Sequence, residues 1–338
     1  MDRALPPIHA RHVASLMYDY RVNPLVESVG IIIPACNAER FIERTLDSVR
    51  RQTRMPEEIV VVDDGSSDRT ANRVEAWAQR HGMQINLIRQ ANCGASSARN
   101  TAIEAVSTDL VATLDADDVI VPRHVATLMR GFQIEPDLIL CFGDASAHGE
   151  SGMLRESYLQ GSKIAQMEYV LKDGLRIIRQ SAYEGIVCGS RMATCSTMFR
   201  RQAAIQAGLY DVQQGQCNDT EFLLRLSRLG KFGYFDEVIS EVQRHSTNLT
   251  HPRHRVANRR FRLRMLYKML ANREQFGLTP GEIDATHKAI DKAAAALLYN
   301  ASDRGFRTYA RASVELLRMG LMHPLTSPKD FARSLRRL

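Results

Sequence analysis

The sequence predicts an α/β fold: a mostly parallel sheet with helices on its faces, continued by a helical C-terminal region. Three observations carry this. Strand-sized apolar runs alternate with helix-period segments through the first 130 residues. Polar and acidic residues recur just beyond three of those runs, and past about residue 250 the pattern is almost wholly helical.

The first strand is "VGIIIPAC", a continuous run rich in isoleucine. "NAERFIERTLDSVRRQT" then places Phe41, Ile42, Leu46 and Val49 at spacings of three and four, an apolar helix face. "EEIVVVDD" is a second buried strand. In the following "GSSDRTANRVEAWAQRHG", Ser67 is the expected N-cap, Asp68 a first-turn capping residue and Val74, Trp77 and Ala78 the buried stripe, with Gly82 closing the helix. "INLIRQ" is a third strand, "GASSARNTAIEAV" a third helix and "DLVATLDAD" a fourth strand. Residues 122–250 are less regular. Beyond them, "RRFRLRMLYKML" sets Arg260, Arg264 and Lys268 on one helix face, and Phe261, Met265, Leu266 and Met269 on another.

At 338 residues, with 44% hydrophobic and 25% charged residues, the chain has the composition of an ordinary soluble globular protein. No segment approaches the ~18 uncharged apolar residues of a membrane helix, and the N-terminal residues, broken by Pro6 and Pro7, lack the apolar core of a signal peptide. The six cysteines are far apart, without metal-site spacing, and read as free thiols acting as small hydrophobes in a reducing compartment. A cytoplasmic location follows as an expectation. Residues 252–338 hold 18 Lys and Arg against 7 Asp and Glu. This basic region reads as a solvated surface or, more sharply, as a peripheral contact with anionic lipid at the inner face of the membrane. No nucleic-acid-binding module accompanies the charge.

A parallel sheet binds ligands beyond the carboxyl ends of its strands. There the sequence places Asn37 and Glu39, then Asp63, Asp64, Ser66 and Ser67, then Asp115, Asp117 and Asp118. In extended backbone Asp115 and Asp117 would share one side. Carboxylates held close need a cation, and oxygen ligands without His or Cys suit Mg²⁺ or Mn²⁺ with substrate phosphates. The alternative is a solvated acidic loop that caps a helix.

"IIIPACNAERFIERTLDSVRRQ", "VVVDDGSSDRT", "NCGASSARNTAI" and "LDADD", followed by "MFRRQAAIQAGLYD", "NDTEFLLRLSRLGKFGYFDEV" and "EVQRHSTNLT", resemble in order and spacing the family 2 glycosyltransferases of GT-A fold. The likeness covers roughly residues 28–250. It implies a nucleotide-sugar-binding half over 28–130 and an acceptor-binding and catalytic half over 131–250, between an N-terminal extension (1–27) and the basic helical region (251–338). It further implies inverting transfer of a sugar from a nucleotide diphosphate sugar, a UDP-sugar as expected donor, to a hydroxyl of a carbohydrate or lipid-linked acceptor, as in polysaccharide or glycoconjugate biosynthesis.

Carried across, the resemblance implies that Pro34, Ala35 and Glu39 shape the base pocket, Asp64 bonds the base, Arg99 lies near base and diphosphate, Asp115 faces the ribose, Ala116 lies beside it, Asp117 holds Mn²⁺ or Mg²⁺ and Asp219 is the general base. Arg244 and His245 would lie near the diphosphate. Two positions depart from the family pattern: Cys36 stands where an aromatic often stacks on the base, and Asn218 replaces the Glu before Asp219. Glu221 is the nearest substitute base. Competing readings are a sugar nucleotidyltransferase, which would want a Gly-rich basic loop where this chain has "PACNAER", and a phosphatase using "DADDV", which belongs on the first strand of its domain. The third is a non-catalytic nucleotide-sugar binder, which would not need Asp219.

Overall fold

A computed structural model describes residues 27–189, 191–246, 248, 251–321 and 328–335. The expected N-terminal extension, save Glu27, and Arg336 and Arg337 at the C-terminus lie outside the described residues. The first half follows the alternation legible in the sequence: β1 (Val29–Ala35), α1 (Ile42–Arg50), β2 (Glu58–Asp64), α2 (Thr70–His81), β3 (Asn86–Gln90), α3 (Ala95–Ala105) and β4 (Leu110–Thr113). The second half adds β5 (Val119–Ile120), α4 (His124–Ile134), β6 (Leu138–Gly149), β7 (Gly152–Arg155), β8 (Tyr169–Lys172), β9 (Leu175–Ile178), α5 (Tyr183–Val187), β10 (Thr197–Arg200), α6 (Arg201–Gln206), α7 (Asn218–Leu226) and β11 (Lys231–Arg244). Among the described residues four helices follow: α8 (Arg255–Ala271), α9 (Pro280–Ser302), α10 (Phe306–Arg318) and α11 (Pro328–Leu335).

One sheet of 11 strands joins both halves in the order β3-β2-β1-β4-β10-β6-β11-β9-β8, with β5 on β11 and β7 on β6. β1 to β4 pair in parallel, so the ends of β1, β2 and β4 open on one edge. β10 runs antiparallel between β4 and β6, and the long β11 pairs in parallel with β6 and ends beside the same edge. Both faces of the sheet are covered. Along β1 the side chains alternate: Ile31 and Ile33 join a core with α1, α2 and α4, while Ile32 joins one with α3, α5 and the C-terminal helices. This two-sided burial explains why the strands read as continuous apolar runs.

Gly82 closes α2 in the left-handed conformation. Ser67 does not cap it: its amide and hydroxyl both donate to Asn37 Oδ1, at 2.9 and 3.1 Å. Asp68 has the capping role, its Oδ1 accepting the Thr70 amide at 2.9 Å. Cys141 and Cys195 are buried as expected of small hydrophobes, but Cys36 and Cys93 are exposed at the binding edge.

Two of the three cations in the α8 stripe have carboxylate partners, while Arg264 is exposed. Lys268 Nζ is 2.8 Å from Asp211 Oδ2 and 2.7 Å from Glu221 Oε1, and Arg260 pairs with Glu315 at 2.8 Å. The opposite face, with Leu263, Met265, Leu266 and Met269, closes the core. Helical periodicity shows which residues share a face; the partners come from elsewhere in the chain, Asp211 together with Glu221 of α7 for Lys268, and Glu315 of α10 for Arg260. No helix among the described residues is long and apolar enough to cross a membrane.

Candidate active site

The loops after β1 and β2 are stapled together before any ligand is considered. Asn37 takes a positive φ of 52°, a conformation asparagine tolerates, and accepts from Ser67 while its own amide donates to Ser66 Oγ at 2.9 Å. Gly65 is required for close approach: at φ 65°, a Cβ would lie 2.6 Å from the Asn92 amide nitrogen. Asp64 is buried, and its oxygens accept from the amides of Cys93 and Gly94 at 2.8 Å each and from Gln90 Nε2 at 2.7 Å. It therefore anchors the loop that leads into α3. Glu39 Oε2 accepts from the Arg69 amide and Nε at 3.2 and 3.3 Å. Pro34 and Ala35 end β1 beside this loop pair, and Cys36 projects from it with Asn92 Nδ2 3.3 Å from its sulfur. Burial first and then Asp64 push the Cys36 thiol up.

The three carboxylates after β4 do not run along an extended strand. The Asp118 amide donates to the Asp115 carbonyl at 3.0 Å, folding 115–118 into a turn. Thr45 of α1 pins that turn from beneath, its hydroxyl contacting the carbonyls of Ala116 and Asp118 at 2.9 and 2.8 Å. The turn sends each carboxylate to a different partner. Asp115 accepts from Arg99 Nη2 at 2.6 Å. Asp117 Oδ2 meets His245 Nε2 at 2.9 Å and Asn248 Nδ2 at 3.0 Å. Asp118, 5% exposed, accepts from the Gln243 amide at 2.9 Å and so fastens the end of β11.

Burial first and then Asp115 push the Asp117 carboxyl up, and His245 partly offsets them. Asp118 is pushed well up by burial, Asp117 and Asp115, in that order. Burial would lower the Arg99 guanidinium, but Asp115 and Tyr210 outweigh it and hold it up. Arg99 lies 5.4 Å from the centre of the Tyr210 ring, and Asn100 brackets the Tyr210 backbone with two bonds of 2.8 Å.

The acid-rich edge faces a cavity of about 700 Å³ lined by Arg99, Asp115, Tyr158, Asp219 and Arg244, among others. Asp219 sits in the first turn of α7. Asn218 beside it accepts the Asp219 amide at 2.8 Å and donates to Ser96 Oγ in α3 at 3.0 Å, tying α7 to the first half of the chain. The residue before them, Cys217, is held at a positive φ of 58°. Asp219 Oδ1 accepts the Thr220 amide at 2.7 Å. Among the described residues no cation is within ion-pair distance of Asp219, whereas Asp115 is paired and Asp118 is buried and bonded.

Glu221 is no substitute: it is 0% exposed and bound to Arg225 Nε at 2.9 Å, Arg225 Nη2 at 2.6 Å and Lys268 at 2.7 Å. Phe41, which the helix pattern assigns to the core, lies half-buried and stacks on the His245 ring at 4.4 Å. It precedes α1, so its orientation is set by the β1–α1 loop and not by helical period. Tyr158 and Asn248 join the site with no signal in the sequence, because each is local to a loop and gains its role from partners 86 and 131 residues away.

A metal fits the Asp117 and His245 pair: a carboxylate and an imidazole are already 2.9 Å apart, and the burial that pushes Asp117 up is what a cation would relieve. A metal held there would have a nitrogen donor, where the sequence leads us to expect oxygen ligands alone. Among the described residues no group of three or more His, Cys, Asp or Glu is placed to hold a metal by itself, which leaves remaining positions to substrate oxygens.

Residues 30–204 match the family described as Glycosyl transferase family 2. An uncharacterized glycosyltransferase of Bacillus subtilis, EpsJ, is 43% identical over 96 residues, 28% of either chain. Poly-beta-1,6-N-acetyl-D-glucosamine synthase of Staphylococcus aureus is 28% identical over 193 residues, 57% of this chain and 44% of the synthase. These matches thus span less than half of either relative. In three dimensions the chain resembles S. aureus TarS 1–349 in complex with UDP (TM-score 0.53, 14% identity, 87% of this chain and 92% of that one). It also resembles a mannosyltransferase from Pyrobaculum calidifontis in complex with GDP-Man and Mn²⁺ (TM-score 0.57, 18% identity, 96% and 90%). The fold is that of GT-A glycosyltransferases, extended by C-terminal helices.

Proposed function

The chain belongs to the family 2 glycosyltransferases, and from that premise we propose that it transfers a sugar from a UDP-sugar to an acceptor hydroxyl, with inversion at the anomeric carbon. Residues 28–130 would bind the donor, and 131–250 would supply the base and acceptor contacts. The product would belong to polysaccharide or glycoconjugate biosynthesis. The observation that carries this reading is the placement of Asp219, with no ion-pair partner among the described residues, in the same cavity as the Arg99–Asp115 pair.

A single displacement needs one base and no covalent nucleophile. Asp219 fits that role because its carboxylate is not spent on an ion pair. It would accept the acceptor proton as the oxygen attacks, and a positioned base contributes on the order of 10² to 10⁴ in rate. Asn218 would hold α7 in register with α3 through Ser96, fixing the distance between base and donor. Asp115, oriented by Arg99, would face the ribose, and Pro34, Ala35, Glu39 and Asp64 would frame the base. Asp117 and His245 would hold Mn²⁺ or Mg²⁺, which when bound stabilises charge on the departing diphosphate. Arg244, donating to Tyr158, would lie at the diphosphate's far side.

Two solved neighbours named above support a nucleotide-sugar donor: one holds UDP and another GDP-Man with Mn²⁺. A thermal-shift screen of UDP, GDP and their sugars, with and without Mn²⁺, tests it, because a ligand that binds the folded state raises apparent stability. The expected result is a metal-dependent shift with UDP; no shift with any nucleoside diphosphate would sink the proposal.

A further inference from the structure

The catalytic cavity carries more positive charge than the donor reading uses. Arg155, at the end of β7, and Arg191, ahead of β10, both line it, and among the described residues neither pairs with a carboxylate. The cavity's other charges are already assigned. Arg99 is matched by Asp115, and Asp118 is buried and bonded to the β11 backbone.

The two arginines are set on a built platform. Buried Asp144 accepts from the amides of Tyr158 and Leu159 at 2.9 Å each and from the Ser157 hydroxyl, fixing the strap that follows β7. On that strap the Tyr158 ring lies 5.4 Å from the Arg155 guanidinium, and the Gln160 carbonyl accepts from Arg191 Nη1 at 3.3 Å. A buried carboxylate with both oxygens spent on one short loop holds the loop in one conformation. Arg155 and Arg191 are exposed beside this fixed strap, and a guanidinium can match the oxygens of a phosphate through paired hydrogen bonds.

We propose that Arg155 and Arg191 bind a phosphate carried by the acceptor, so that the enzyme glycosylates a phosphate-bearing acceptor. This rests on reading the cavity as the place where donor and acceptor meet. The donor diphosphate would lie at the ends of β1, β2 and β4 with Asp117 and His245, leaving these arginines to the other substrate. Leu154, 59% exposed and adjacent to Arg155, gives the cavity an apolar lip, so the phosphate could be that of a lipid headgroup or of a soluble glycan.

The test uses the full chain with UDP and Mn²⁺ and two probes. One is glycerol 1-phosphate, titrated by thermal midpoint; the other is cosedimentation with phosphatidylcholine vesicles with and without phosphatidylglycerol. Wild-type protein is expected to bind at least one probe, and Arg155→Gln with Arg191→Gln is expected to weaken that binding about tenfold or more, with UDP affinity unchanged. Arg155→Lys with Arg191→Lys keeps the charge but not the paired hydrogen bonds and should restore part of the binding that the Gln pair loses, which separates loss of the site from misfolding. Binding of glycerol 1-phosphate assigns the site to a soluble phosphate; arginine-dependent binding of the anionic vesicles alone assigns it to a headgroup. Equal binding by the Gln pair, no binding of either probe by wild type, or a matching loss of UDP affinity overturns the proposal. If UDP itself fails to bind wild type, the donor reading falls, while arginine-dependent phosphate binding would still support this site.

Discussion

His245 Nε2 lies 2.9 Å from Asp117 Oδ2, although 128 residues separate them. β11 makes the contact: it pairs with β6 along most of its length and is fastened at its end by Asp118, so that the residues following Arg244 emerge over the β4 turn. Phe41 then fixes the imidazole by stacking on it.

Replacing His245 with alanine should therefore weaken Mn²⁺-dependent UDP binding by at least about tenfold, with little change in stability. Asp117→Ala should do the same more strongly. Calorimetric titration of UDP at fixed Mn²⁺ reads both, and unchanged affinity in the pair would remove them from the metal site.

Asp219→Asn keeps the shape and the bond to Thr220 while removing the base. UDP and metal affinity should stay near wild type as transfer falls by about 10² to 10⁴. Full transfer by this variant, measured as released UDP, would overturn the assignment of the base.

Glu221 predicts the opposite pattern. Its carboxylate is buried against Arg225 and Lys268, so Glu221→Gln leaves buried Arg225 without a carboxylate and Lys268 with Asp211 alone. Breaking one side of such a pair costs about 3 to 5 kcal/mol. Urea unfolding should show a loss of that size, and at temperatures where the variant remains folded transfer should persist.

His124 gives stability a dependence on pH. Burial lowers its imidazole from 6.5 to about 4, while Nδ1 stays 3.1 Å from the Ile239 carbonyl. The folded state thus binds fewer protons than the unfolded chain between those values, and its contribution is full above pH 6.5 and lost as pH falls toward 4. The loss is on the order of 3 kcal/mol. His124→Gln should flatten the slope of unfolding free energy against pH in that window relative to wild type; parallel slopes would refute the role.

The α/β alternation, the strand ends that carry polar residues and the order of motifs that places the chain in its family are all legible in the amino-acid sequence. Those are local properties: a strand buried on both faces must be apolar throughout, as in Ile31 to Ile33, and a helix must repeat its apolar face every three to four residues. Asp68 and Gly82 were legible for the same reason, since capping acts within one turn. The partner that each carboxylate meets is visible in the folded chain alone. The turn at 115–118 sends three neighbouring aspartates to Arg99, His245 and the Gln243 amide, and α8 docking on α7 takes Lys268 out of solvent. A charge's role depends on the partner it meets and the water it loses, and both are set by other chain segments, 16 residues away for Asp115 and more than a hundred for Asp117 and Asp118.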